Sequence, residues 1–328
     1  MQILLTLDYE LFLGERTGSV ERCLVEPMRR LTEAVEPTGA RFTLFVDATY
    51  LFRLFELKAD YAALDAEYRQ IVSHLRMLRA AGHDLQLHIH PHWHYSTFED
   101  GKWRLDHTRY KLCDIPFEEA LWIFASAKEH LDAVLGYATH AFRAGGFSTQ
   151  PTQRLTALFA QNGIRVDSSV CPGQRYQSPQ QTYDYRTAPA GGAYRFGADI
   201  NVPDPDGAFT EVPISMHPVS PLFYWKYVAT RLLKVPGMRP WGDGQSVKAT
   251  NESIRERLTR RTVSMATIDG FKIETLEAAY QAARRKGNEL FCVLGHPKLA
   301  NPYSVRKLSR FCERRKRAGD TFITISEI

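Results

Sequence analysis

Eight short apolar runs recur along the chain, at residues 3–8, 41–46, 84–89, 141–144, 164–170, 209–214, 290–294 and 321–325. Most are nearly continuous rather than alternating, the pattern of a strand buried on both faces. Longer segments between them carry apolar residues at helical spacing. Residues 64–81 end at Gly82, 116–135 at Gly136, 151–162 at Gly163 and 271–286 at Gly287. Glycine just past a helix accepts the left-handed backbone that stops it. Strand and helix in repetition predict an α/β protein, a parallel sheet covered by helices. Seven or eight repeats predict a (β/α)7–8 distorted barrel, with a sheet open on one side as the alternative. Such barrels build their sites on loops at the C-terminal ends of the strands. Residues 95–114, polar and aromatic, and residues 171–205, rich in Gly, Pro, Gln and Tyr, read as insertions at that face. A helical excursion is expected around 217–262, all within a single domain of 1–328.

The third run ends in Leu85-Gln86-Leu87-His88-Ile89-His90-Pro91-His92-Trp93-His94, which holds four of the eleven histidines. On an extended strand His88 and His92 would stand ~13 Å apart, too far to share an ion. If the chain turns helical at Pro91, residues four apart approach to ~6 Å. A His-x-x-x-His pair can then grip one metal, and imidazole is a common zinc ligand. A polar loop with solvated rings is the plain alternative for any one of them. Four together favour a metal, given a carboxylate from elsewhere. His90 and His94 are expected to pack around the site. His83, His107, His130, His140 and His217 are scattered and read as structural or surface groups.

Other polar residues gather at strand ends: Asp8 and Glu10, Arg143, Asp167 with Ser168 and Ser169, Glu211 and His296. A strand-end aspartate can be no more than a helix cap. Their coincidence on one expected face points to a site. Two histidines and one carboxylate leave a position open for water, as in a catalytic zinc centre.

Composition narrows the partners. The chain is 44% hydrophobic over 328 residues, enough for a sizeable core. Net charge is +5, from 42 basic and 37 acidic residues, a mild bias. The basic run 314–317 suits the end of a helix, so nucleic acid is not expected. Five cysteines with no Cys-x-x-Cys fit a reducing compartment and exclude a cysteine zinc site. The first residues lead straight into a strand, so no signal peptide is read and a cytoplasmic location is expected. Leu222-Phe223-Tyr224-Trp225, with Lys226, Arg231 and Lys234, reads as a covering helix with a solvated basic edge. The alternative is an interfacial helix in peripheral contact with an anionic inner membrane.

Five short stretches together resemble a known family. They are Leu7-Asp8-Tyr9-Glu10, His88-Ile89-His90-Pro91-His92, Phe142-Arg143-Ala144-Gly145-Gly146, Val166-Asp167-Ser168-Ser169 and Leu294-Gly295-His296-Pro297. Over residues 1 to about 299 the chain resembles the NodB-type polysaccharide deacetylases, carbohydrate esterase family four. Within them it looks like the WalW branch of lipopolysaccharide biosynthesis. It departs from the family pattern in its Asp-x-Glu, where adjacent aspartates are usual. It departs again at Ile89, in place of a hydroxyl residue, and at Gly145-Gly146, in place of Pro-aromatic.

The resemblance implies hydrolysis of the acetamide of an N-acetylated sugar or glycan. Asp8 would be the base and His296 the acid that protonates the departing amine. Glu10, His88 and His92 would hold one divalent metal, expected to be zinc, which polarises the carbonyl and activates water. Arg143 would keep Asp8 ionised. Asp167, Ser168, Glu211 and Trp93 are expected at the substrate. Two other readings remain. His88-x-His90 is also the opening signature of amidohydrolase-type barrels, and a non-catalytic sugar-binding relative would keep the same fold.

Overall fold

The structure is a computed structural model that describes residues 1–178, 180–246 and 250–328. Residue 179 of the expected insertion and residues 247–249 of the expected excursion lie outside the described residues. The chain divides into two compact units, 1–42 with 214–323, and 43–213 with 324–328. Each combines parallel strands with covering helices, so the α/β expectation holds.

In the first unit the strand Gln2–Tyr9 runs parallel to Leu290–Val293 and to Thr321–Ile323. Every residue from 3 to 9 is buried, which is why the run is nearly all apolar. The helices Glu26–Val35 and Pro302–Arg317 pack on each other. The second begins at Asn301, whose side chain accepts from the Ser304 amide while Ser304 answers the Asn301 amide. An antiparallel pair, Met216–Val219 with Thr262–Met265, brackets the helices Pro221–Leu232 and Asn251–Thr259. The segment expected as one helix at 271–286 is instead a 3-10 stretch, Gly270–Thr275, followed by the helix Leu276–Arg285.

In the second unit Phe42–Asp47, Asp84–Ile89, Ala141–Ala144, Val166–Asp167 and Phe209–Glu211 pair in that order, all parallel. Tyr194–Phe196 adds an antiparallel edge. Helices Ala48–Leu57, Ala62–Ala80, Phe117–Leu135 and Thr152–Asn162 connect the strands. Gly136 and Gly163 stop their helices at φ 72° and 69°. The strand expected at 164–170 is only Val166–Asp167. Beyond it, the Ser168 amide still donates to Phe142 O, while Ser168 Oγ donates to Val212 O and Ser169 Oγ accepts from Ala144 N, so side chains extend the ladder. Residues 95–114 are not wholly irregular, because Thr97–Glu99 and Lys102–Arg104 form a hairpin.

Candidate active site

Two groups of buried polar residues stand at strand ends, one in each unit. In the first unit the strand Gln2–Tyr9 delivers Asp8 and Glu10, only 3% and 6% exposed. The Asp8 amide donates to Gly295 O at 2.9 Å, which seats His296 beside them. Gly295 is needed here, since a Cβ would collide with Leu7 and Ile268. His296 Nε2 lies 3.6 Å from Asp8 Oδ2 and 3.7 Å from Glu10 Oε1. Its other face is gripped by Asp269. Oδ2 meets Nδ1 at 2.9 Å, and Oδ1 accepts from the His296 amide at 2.8 Å. Burial penalises a charged imidazole, but the carboxylates of Asp269 and Asp8 outweigh it and hold the His296 pKa above its ordinary value. Burial likewise opposes the Asp269 charge, yet His296 and Lys272 draw its carboxyl below the usual range. Lys298 is 6% exposed and donates from Nζ to Glu10 Oε1 at 2.8 Å and to Leu11 O at 2.6 Å.

In the second unit register sorts the polar residues onto two faces. Asp47, His88 and Arg143 are partners across three adjacent strands and share one face. Arg143 is fully buried, with its guanidinium 4.2 Å above the Phe45 ring. It donates to Ser168 O at 2.7 Å and to Ser168 Oγ at 2.8 Å. His88 Nδ1 meets Arg143 O at 2.7 Å. A carbonyl oxygen only accepts, so Nδ1 carries the proton and Nε2 presents its lone pair. That Nε2 faces His90 Nε2 at 3.0 Å. Two imidazoles on one tetrahedral zinc would bring their nitrogens to roughly 3.3 Å, given Zn–N bonds of about 2.05 Å. The donor chemistry of this pair thus fits a metal of the zinc class. His92 does enter a short helical turn, His92–Tyr95, and its ring stacks on Tyr110 at 5.3 Å and on an interplanar angle of 12°. His107, expected as a structural or surface group, stands 5.3 Å from the His92 ring and packs in the same cluster.

The opposite face takes Phe142, on the strand that carries Arg143, with Asp167 and Glu211 from the two strands beyond it. Phe142 packs on Phe124 and Phe159 of the covering helices. Strand alternation therefore sets Asp167 and Glu211 apart from Ser168, which stays with Arg143. Ser169 Oγ reaches both oxygens of Asp167, and the Val170 amide donates to Glu211 Oε1 at 3.0 Å. Burial pushes the Asp167 carboxyl up to about 7 and, with the Asp167 charge beside it, raises Glu211 well above its ordinary value. Trp93 is wholly buried as well. Its Nε1 donates to Asp47 Oδ2 at 2.7 Å, and its ring lies 4.5 Å from Tyr50 and 5.2 Å from Trp103. The four residues expected at the substrate are thus fully buried and engaged with protein groups.

Asp269 and Lys298 escape the sequence reading. Asp269 follows Ala266-Thr267-Ile268, a faint strand signal that runs into Asp-Gly. Lys298 lies two residues past His296 in an otherwise apolar stretch, where a cation needs a partner.

No protein-family model and no curated protein matches the chain. Solved structures do. A candidate polysaccharide deacetylase from Mycobacterium smegmatis superposes with a TM-score of 0.55 at 15% identity, over 99% of this chain and 87% of that one. Puue allantoinase superposes with a TM-score of 0.54 at 14% identity, over 99% of this chain and 88% of its own. At these identities the likeness is one of fold, and the chain shares the fold of both.

Proposed function

We propose that the protein is a metal-dependent hydrolase that removes the acetyl group from an N-acetylated sugar. The observation that carries this reading is His296, held by Asp269 with a raised pKa and 3.6 Å from the buried Asp8 carboxylate. Asp8 takes a proton from the attacking water. The water oxygen bonds to the acetyl carbon, the C–N bond breaks, and His296 Nε2 gives the leaving nitrogen its proton. Acetate and a free amine result. Arg143 is assigned the task of aiming Asp8. The metal, zinc in this proposal, is held by Glu10 and by imidazoles of the His88–His92 segment: His88 and His92 from the motif, His90 from its approach to His88. When bound it polarises the acetyl carbonyl and eases ionisation of water.

Lipopolysaccharide precursors in the cytoplasm are the proposed substrate class. The fold likeness to an allantoinase makes a cyclic ureide the second class to try. The test is acetate release by purified protein from nucleotide-linked and lipid-linked N-acetylated sugars, with and without added zinc. Acetate should appear only with metal, and Asp8→Asn should abolish it. Ring opening of allantoin without acetate from any sugar would replace this reading with the ureide one.

A further inference from the structure

The helix Pro221–Leu232 turns its greasy side outward. Phe223 and Tyr227 face inward, stacked on Phe271 at 5.4 and 5.8 Å. At ~100° per residue, Leu222, Trp225, Lys226, Ala229, Leu232 and Leu233 form one stripe about 120° wide on the opposite side. All six are exposed, Trp225 by 55% and Leu232 by 77%. Trp225 Nε1 donates to Leu258 O at 3.1 Å, which fixes the neighbouring helix Asn251–Thr259 beside it. That helix buries no residue and adds exposed Ile254, and Val263 just beyond it is also exposed. A patch of this kind is not ordinary solvated surface.

Charge says what covers it. Segments 220–235 and 250–261 carry seven cations, Lys226, Arg231, Lys234, Arg255, Arg257, Arg260 and Arg261, and two carboxylates, Glu252 and Glu256. Their excess equals the +5 of the whole chain, so the remainder is balanced. All seven are exposed, and none makes an ion pair with a described residue. Among the described residues no helix is long and apolar enough to cross a membrane.

From this juxtaposition we infer that the two helices form a docking surface for an anionic lipid bilayer. The apolar stripe enters the headgroup region and the cations lie along the phosphates. The surface would bring the enzyme to substrates displayed on lipid. The docking test itself needs no turnover, so it succeeds or fails apart from the deacetylase reading.

The experiment is cosedimentation of the full chain with phosphatidylglycerol–phosphatidylcholine vesicles and with phosphatidylcholine vesicles, at low and high salt. The protein should pellet with the anionic vesicles at low salt and be released by high salt. Arg260→Gln with Arg261→Gln should weaken partitioning roughly 30-fold, at about fivefold for each cation near the surface. Leu232→Ser with Leu233→Ser should weaken it again, with circular dichroism confirming that each variant is folded. Protein left in the supernatant at low salt, equal binding to neutral vesicles, or an unaffected arginine variant would overturn the inference. So would a dimer in sedimentation equilibrium that the leucine variant dissolves, because the stripe would then serve a second copy of the chain.

Discussion

Asp269→Asn changes one oxygen to an NH2 group at the residue that grips His296. The wild-type carboxylate accepts twice, from Nδ1 at 2.9 Å and from the backbone amide at 2.8 Å. Asparagine keeps one acceptor. If it stays on the backbone amide, the NH2 faces Nδ1 and can only donate, so Nδ1 must give up its proton. The imidazolium is then lost, and with it the group that can protonate a departing amine. General acids contribute about 10²–10⁴-fold, and the analogous loss of ring orientation in a Ser-His-Asp triad costs about 10⁴-fold. On the proposed chemistry kcat should fall by at least about 10² with little change in KM or metal content. The titration of the His296 ring, followed by nitrogen NMR, should move to lower pH, because the carboxylate that raises its pKa is gone. A variant with wild-type kcat and an unmoved titration would refute the role given to Asp269.

Three further outcomes are expected. Removing a donor ring should cost upward of about 10²-fold in zinc affinity, and removing a ring that packs beside the ion about tenfold. His88→Ala and His90→Ala should therefore fall together, whereas undiminished zinc in His90→Ala would leave His88 and His92 as the imidazole ligands. Lys298→Met takes the cation from a buried pair 2.8 Å apart and should cost about 3–5 kcal/mol of stability in urea unfolding; a loss under about 1 kcal/mol would show that Lys298 is dispensable. Asp167 and Glu211 hold protons more tightly folded than unfolded, so their contribution to stability declines as pH rises from the ordinary carboxylate range, about 4, through about 7 for Asp167. Glu211→Gln should flatten that decline by up to about 1.4 kcal/mol per pH unit; melting curves between about pH 5 and 8 with unchanged slope would count against the buried acid pair.

The parts of this molecule that sequence makes legible are those with a period or a punctuating residue. Ala141–Ala144 and Asp84–Ile89 match their expected limits because both are short runs with clear ends. Helices stopped by Gly136 and Gly163 were visible for the same reason. What sequence leaves open is register. Asp167 and Ser168 are neighbours in the chain, yet one faces Glu211 and the other Arg143. Only pairing with the adjacent strands decides which. Likewise His-x-x-x-His spacing suggests the pair His88 and His92, and only the bond from His88 Nδ1 to Arg143 O shows that Nε2 is aimed at His90. Asp269 carries no motif at all. Its meaning lies in a contact with a residue twenty-seven positions away.

The order in which the ribosome delivers the strands has its own consequence. Gln2–Tyr9 emerges before the strands it serves, and two of its parallel partners begin only at Leu290 and Thr321. At synthesis rates of about 5–20 residues per second, the strand waits on the order of tens of seconds for them. Meanwhile residues 43–213 are complete enough to collapse, lacking only the final segment, whose Ile325 amide donates to Thr43 Oγ1 and whose Ser326 amide donates to Asp84. A largely apolar strand with an edge still open is a template for pairing with another chain. Aggregation of nascent chains should therefore be governed by residues 3–7. Polar substitutions there would relieve it only by also removing the strand that presents Asp8 and Glu10.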